Sequence, residues 1–487
     1  MSRSRRWTLV ALAVLPAVLG MPPVSAQAPP AEEKWLVDRS LTVTPRPAPV
    51  PALQYRLYPL GWDRKDGNAV PIYLRLVHEQ SDAGRKYWTE TPKPWNQLPV
   101  EQIPLAEAHE FLGRMKHFYR QFDLGARRKT ADWNYTFDQG SVVDILMPDV
   151  AWVRNYVPMM VLRARVELAE GDFAAAARSL ATGFSFSRQI SEAPLLISGL
   201  VGVACASPFA DCVADFIERP QAPNLYWALT ALPRPLIDLR KAMEFEQRFF
   251  EMEIPEFADL DRSRSPEQWD ALLKKVRTKI KMLNELPSEG GDANRDHPIA
   301  GIGPDDPAAN SPDLRMARGY LADRRDLSAA TIAAMPPAQV LLLFIVGTNQ
   351  DLRDDVFKVT YLPYPATRRM LDGVAERLRS TPDSEAKRVA KVFLPAIQKM
   401  PAVPVRLDRK IAALRVVEAL RLHAAANGGQ LPERLDQVTV VPIPDDPGTA
   451  KPFEYRRDGA KATLISRIPG EPIEKEGLRY RIALRGK

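Results

Sequence analysis

The chain has 487 residues, with 67 Lys and Arg against 60 Asp and Glu, 45% hydrophobic residues and 8% aromatic ones. That length buries a large core, divided among two or three domains, and the ordinary charge content excludes wholesale disorder. Two Cys and five His exclude a disulfide-stapled scaffold, a Cys-rich metal module and a His-rich metal enzyme, and the near balance of charges excludes a nucleic-acid footprint.

Residues 1–26 read as a secretory signal peptide. Arg3, Arg5 and Arg6 supply the positive region, Trp7 to Gly20 the apolar stretch, and Val24-Ser25-Ala26 a small-residue cleavage site. Its removal takes three Arg and lowers the formal charge from +7 to +4. The longest later apolar run noted, Val340 to Val346, is too short to span a bilayer, so an exported chain without a transmembrane segment, in the periplasm or outside the cell, is expected.

Residues 27–52 form a Pro-rich leader (Pro29, Pro30, Pro45, Pro47, Pro49, Pro51), expected as an unpacked arm on the surface. Residues 53–286 read as helical. Asn68 caps a helix from Val70 to Glu79, and one helix runs from Leu105 to Phe122. A helix at Met159–Ala169, the turn Glu170-Gly171-Asp172 and a second helix at Phe173–Ile190 make the clearest unit. Phe173, Ala176, Ala177, Leu180, Phe184 and Ser187 recur there at helical spacing on one face. Three further segments extend this region: Pro194 to Glu218, Asn224 to Leu232, and Pro235 to about Glu253. Trp269, Leu272, Leu273, Val276, Ile280 and Leu283 line one face of an amphipathic helix whose other face carries Lys274, Lys275, Arg277, Lys279 and Lys281. Residues 287–313 read as a long loop, and 314–403 as further helices interrupted at Leu362-Pro363-Tyr364-Pro365.

Residues 404–487 read as a small α+β domain. A helix ends at Asn427-Gly428-Gly429, Val438–Val441 reads as a strand, and Asp458-Gly459 joins the strands 453–456 and 462–466 in a hairpin. Leu478–Leu484 is a further strand. The fold class is therefore mainly α, with a C-terminal α+β domain.

The residues that could carry chemistry have structural readings too. Gly183-Phe184-Ser185-Phe186-Ser187 is one residue out of step with a nucleophile elbow and lies within a helix. His109 and His117 are eight apart, not the four of a helical metal pair. Asp445-Asp446 alone is too small a set for calcium. Cys205 and Cys212 lie about 10.5 Å apart on a straight helix, beyond disulfide reach, but a break at Pro208 would bring them together, so buried thiols and a disulfide both stay open. No catalytic, cofactor-binding or metal-ligating residue is assigned. Trp133, Tyr226, Trp227 and Arg234 are the expected binding surface.

The pair around Gly171-Asp172-Phe173, with Ala164 and Ala176, resembles a tetratricopeptide hairpin, although Arg163 and Glu167 stand where that family has apolar residues. The resemblance implies an array of such hairpins. Several segments, taken together, resemble a family of exported, mainly helical proteins from planctomycete-type bacteria without a known activity. They are Gly67-Asn68-Ala69, Tyr73-Leu74-Arg75, Ala131-Asp132-Trp133, Gly183-Phe184 and Pro223-Asn224-Leu225-Tyr226-Trp227-Ala228-Leu229 through Pro233-Arg234-Pro235. The tail resembles the globular end of type II secretion pseudopilins at Leu431-Pro432, Asp446-Pro447-Gly448 and Pro452-Phe453-Glu454-Tyr455, without their long apolar helix.

The function expected is an exported cell-envelope binding or scaffold protein without catalytic activity, acting on envelope proteins or peptides. The alternatives are an envelope hydrolase with a carboxylate or Ser/His site in a cleft, and a component of secretion or pilus-like machinery. No cofactor and no nucleic acid are expected.

Overall fold

The computed structural model describes residues 33–135, 148–246, 262–285, 311–391 and 400–485, with isolated positions between 247 and 261. The chain is mainly helical with a small mixed sheet. In chain order the first helices are α1 (Val70–His78), α2 (Asp82–Glu90), α3 (Pro92–Gln97), α4 (Leu105–Arg114), α5 (Lys116–Ala126) and α6 (Pro148–Arg154). Next come α7 (Val157–Ala169), α8 (Phe173–Ile190), α9 (Leu196–Glu218), α10 (Tyr226–Thr230) and α11 (Arg240–Glu246). The later ones are α12 (Pro266–Glu285), α13 (Pro312–Arg325), α14 (Ala329–Ala334), α15 (Pro337–Phe357), α16 (Tyr364–Ser380), α17 (Ala402–Ala426) and α18 (Ile473–Glu476).

The helix expected from 105 to 122 is broken at Met115, giving α4 and α5. At the clearest unit, Gly171 adopts φ +78 in the turn, a left-handed conformation that glycine alone takes at no cost, and Asp172 caps α8 by accepting a hydrogen bond from the Ala175 amide at 2.9 Å. Packing of α8 on α9 is close because Gly183 faces Phe209; a Cβ at 183 would collide with that ring. Arg163 and Glu167, the departures from the tetratricopeptide pattern, pair with each other at 3.1 Å, and Arg163 reaches Asp123 of α5 at 3.0 Å while lying over the Tyr119 ring. They join α7 to α5 where apolar residues would leave that contact to dispersion alone.

The sheet has the order β1-β6-β5-β4. β4 (Glu454–Asp458) and β5 (Lys461–Ser466) form the expected hairpin around Gly459, and β6 (Leu478–Leu484) has the bounds read from the sequence. The fourth strand is β1 (Val37–Val43), paired parallel to β6 with Val37 opposite Leu478 and Val43 opposite Leu484. This corrects the expectation of an unpacked leader, since Leu41 and Val43 are buried. The segment 438–441 is not a strand: it is a bend with Val438 and Val441 buried and Val440 exposed. A separate two-stranded pair joins Lys65–Asn68 to Arg128–Thr130.

One hydrophobic core runs from Leu41 to Ile482. It takes in the early helices, α7 to α10, α17 and the inner face of the sheet. Residues 404–485 therefore share their core with the helical body instead of closing a core of their own. A second core gathers Trp269, Leu273, Val276, Leu314, Leu341 and Ile345 from α12, α13 and α15. Phe357 at the end of α15 returns to the first core, and Val356, Val359, Leu371 and Val374 form a third, smaller cluster beside it. On α12, Arg277, expected on the solvated face, is 3% exposed and makes a bidentate pair with Glu385 at 2.7 Å on both arms. The expected long loop at 287–313 lies outside the described residues up to 310.

Among the described residues one helix, α9, is long and apolar enough to cross a membrane by length and composition, a candidate that the reading of Val340–Val346 passed over. Here α9 is a core helix that packs on α7, α8, α17 and β1. Pro208 lies within it without ending it. Cys205 and Cys212 are therefore free, buried thiols, and burial pushes the Cys205 thiol up to about 12.

Candidate functional site

The four residues expected to form a binding surface separate into two places. Trp133 is buried, and its indole donates to the Gln189 carbonyl at 2.9 Å. Gln189 is a node: its side-chain amide donates to the carbonyls of Gly125 and Arg128 at 3.0 and 3.2 Å, and its carbonyl oxygen accepts the hydroxyl proton of Tyr73. Asn68 reaches the same region by exchanging hydrogen bonds with the Asp132 backbone at 2.7 and 2.9 Å. Thus Gly67-Asn68-Ala69, Tyr73 and Ala131-Asp132-Trp133 meet around one buried polar center. Their side chains help hold α1, α5 and α8 together, and Trp133 also lines a separate cavity of about 480 Å³ with Arg64, Arg188 and Lys241.

Tyr226, Trp227 and Arg234 lie together. Tyr226 is buried, its hydroxyl donates to the Pro442 carbonyl, and the Trp227 ring packs edge-on to it at 5.2 Å. Asn224 positions this turn. Its oxygen accepts from the Tyr226 amide at 3.0 Å, and its amide nitrogen donates to the Glu418 carbonyl at 2.9 Å and to the Glu418 carboxylate. Glu418 and Arg421, both fully buried on α17, pair at 2.9 Å, and Arg421 also donates to the carbonyls of Thr44 and Ala222 at 2.9 and 2.8 Å. Every donor and acceptor of the cluster faces a partner, which is what makes a charge tolerable at that depth.

Beside this turn opens a cleft of two adjoining cavities, about 650 and about 360 Å³, that share Arg234, Asp408, Asp445 and Pro447. Four segments wall it: the 233–243 stretch, the turn 360–367, the start of α17 and the 442–450 loop. Prolines come from all four, Pro235, Pro363, Pro404 and Pro447 among them, with Leu229, Ile411 and Ile443 in the smaller cavity. Proline fixes φ and removes an N–H donor, so these walls are preshaped and present rings and carbonyls. They are tied across by single contacts. The Leu236 amide donates to Asp408 at 3.3 Å, the Tyr361 hydroxyl to Glu244 at 3.1 Å, and Arg368 to the Pro469 carbonyl at 2.7 Å.

The charges in the cleft differ in how far they are satisfied. Asp238 is held below its usual range by hydrogen bonds from Arg240, and Asp446 is locked in place by Arg409, Ser466 and the Gly448 amide at 2.8 Å. Both Asp446 oxygens thus have protein partners. Among the described residues Asp408 accepts a hydrogen bond from the Leu236 amide and lies in the field of Arg234, and burial raises its carboxyl to about 6. Arg234 donates to the Thr230 carbonyl at 2.7 Å and Arg415 to the Thr230 hydroxyl at 3.1 Å, but among the described residues neither has an ion-pair partner.

The remaining sequence candidates are structural. Ser185 and Ser187 are buried within α8 and donate to the carbonyls of Ala126 and Gly183 at 2.6 and 2.8 Å. His109 and His117 are exposed, beside Glu170 at 2.6 Å and Glu79 at 3.5 Å. No group of three or more His, Cys, Asp or Glu among the described residues could hold a metal ion. Sequence reasoning found Arg234 but missed Asp408 and Arg415, which sit on a helix charged around its circumference. No protein-family model, no curated protein and no solved structure matches the chain.

Proposed function

We propose that this is an exported binding or scaffold protein of the cell envelope, without catalytic activity, whose cleft beside Tyr226 and Arg234 holds extended peptide segments of partner proteins. The observation that carries the reading is the cleft itself: proline and aliphatic walls from four separate segments, pinned to one another, around a few unsatisfied charges. A preformed wall spares the ordering entropy of binding, and apolar walls with sparse polar groups are the usual lining of ligand sites. The amino-terminal signal, the likeness to exported helical proteins and the α7–α8 hairpin, read as the nucleus of a tetratricopeptide-like array, support export and a binding role. The C-terminal region adds two of the cleft's walls, the start of α17 and the 442–450 loop.

The test is an array of immobilized peptides, apolar and proline-containing against charged controls, probed with the purified protein and with Leu362→Asp, which alters an exposed residue of the wall. Binding to the apolar set that the variant loses supports the reading; equal binding by both proteins, or none, refutes it. One observation favors a second reading, a hydrolase: Asp408 titrates near neutrality in the same cleft as Asp445, as a general acid would. Turnover of glycan or peptide substrates that Asp408→Asn abolishes would establish it.

A further inference from the structure

The smaller cavity combines two features that a single ligand group would have to match. Its lining combines the aliphatic side chains of Leu229, Leu232, Ile411 and Ile443 with Arg234 and Arg415, and with Asp408 and Asp445 where it borders the larger cavity. The two guanidinium groups are held on either side of Thr230, whose backbone oxygen takes Arg234 and whose hydroxyl takes Arg415. Arg415 also lies over the Tyr226 ring, 5.6 Å from its center. Two like charges are thus fixed near one another with no ion-pair partner among the described residues. Burial and the neighboring Arg234 both hold Arg415 below its ordinary pKa. Asp408 lies in the same lining and in the field of Arg234, but its hydrogen bond goes to the Leu236 amide and it forms no ion pair with either arginine among the described residues.

We propose that the Arg234–Arg415 pair receives the free C-terminal carboxylate of a bound peptide whose last side chain is apolar and fills the Leu229–Ile411–Ile443 wall. A terminal residue carries its carboxylate and its side chain on the same Cα, so one residue can present both to a single cavity lined by arginines and aliphatic side chains. An acidic side chain would place its charge at the end of a polar stem and leave that wall empty. Guanidinium is suited to the task, since its planar fork matches a carboxylate with two parallel hydrogen bonds. Asp408 and Asp445, on the border of the two cavities, are placed to accept the N–H groups of the preceding residues, and they disfavor a second negative charge.

This inference rests on the peptide-cleft reading. The experiment measures fluorescence anisotropy of a labeled pentapeptide ending in Pro-Leu with a free carboxylate, the same peptide amidated, and an amidated peptide ending in Pro-Glu. Each is titrated with the full-length protein, with Arg234→Ala and with Arg415→Gln. The free acid should bind at least about tenfold tighter than the amide, the size of a charge-assisted hydrogen bond, and the difference should vanish in Arg234→Ala, whose exposed side chain is not needed for the core. If Arg415→Gln fails to fold, Arg234→Ala alone decides. Equal binding of acid and amide, or tighter binding of the Pro-Glu peptide, overturns the carboxylate site and leaves the cleft reading standing. Absence of binding by all three peptides overturns both.

Discussion

Asp408 should destabilize the folded protein at neutral pH, and its removal should show how much. Its carboxyl titrates at about 6 in the fold, against an ordinary 3.8, because burial outweighs the Leu236 hydrogen bond and the field of Arg234. In the interval from 3.8 to about 6 the folded chain therefore holds a proton that the unfolded chain has released. Stability must fall as pH rises through this window, and the full cost is present above it. The gap is worth about 3 kcal/mol. Asp408→Asn keeps an oxygen to accept the Leu236 amide and carries no charge. The variant should match the wild type near pH 4 and exceed it by about 1–3 kcal/mol at pH 7.5, read from urea denaturation followed by far-UV circular dichroism. A difference that is the same at both pH values would refute the reasoning, as would a variant less stable at pH 7.5.

Three further perturbations test the architecture. Leu41→Ala should cost about 2–5 kcal/mol, because Leu41 is 1% exposed in the shared core; an effect below about 0.5 kcal/mol in urea denaturation would show that β1 is the loose arm expected from its prolines. Asn224→Ala should cost about 1.5–3 kcal/mol by leaving the buried Glu418 carboxylate short of a donor, and an unchanged midpoint would remove the Asn224–Glu418 link from the account. Arg277→Leu should destabilize by about 3–5 kcal/mol while Arg277→Leu combined with Glu385→Leu recovers most of the loss. A double variant as unstable as the single one would mean that the pair holds the second core together by more than mutual neutralization.

Local patterns were legible and distant pairings were not. The apolar spacing of α8 and α12, the glycines that end α17 and the Asp458-Gly459 turn each act within a few residues, so the sequence window contains the cause. β1 was missed because its partner lies at Leu478–Leu484, and because only Leu41 and Val43 of its seven residues are buried. The run at 438–441 was misread for the complementary reason. Valine favors strands on a pleated, paired surface, and with no neighbor to pair with, this segment buries Val438 and Val441 three residues apart.

The cleft charges were hidden by a different assumption, that polar residues on a helix face water. α17 carries charge at Arg406, Asp408, Arg409, Lys410, Arg415, Glu418 and Arg421, which spread around its whole circumference. A helix without an apolar stripe separate from its charges cannot leave them all in solvent once it enters a core. Some must be buried against partners, and Arg409 with Asp446, and Arg421 with Glu418, are those. The same logic placed Arg277 inward, four residues after Leu273 on the face that Trp269 and Ile280 occupy. On such a helix the charges divide into pairs that hold the fold and residues left over. Asp408 and Arg415 form no ion pair among the described residues and both line the smaller cavity, so the charges of α17 that the core does not pair are the ones the cleft wall carries.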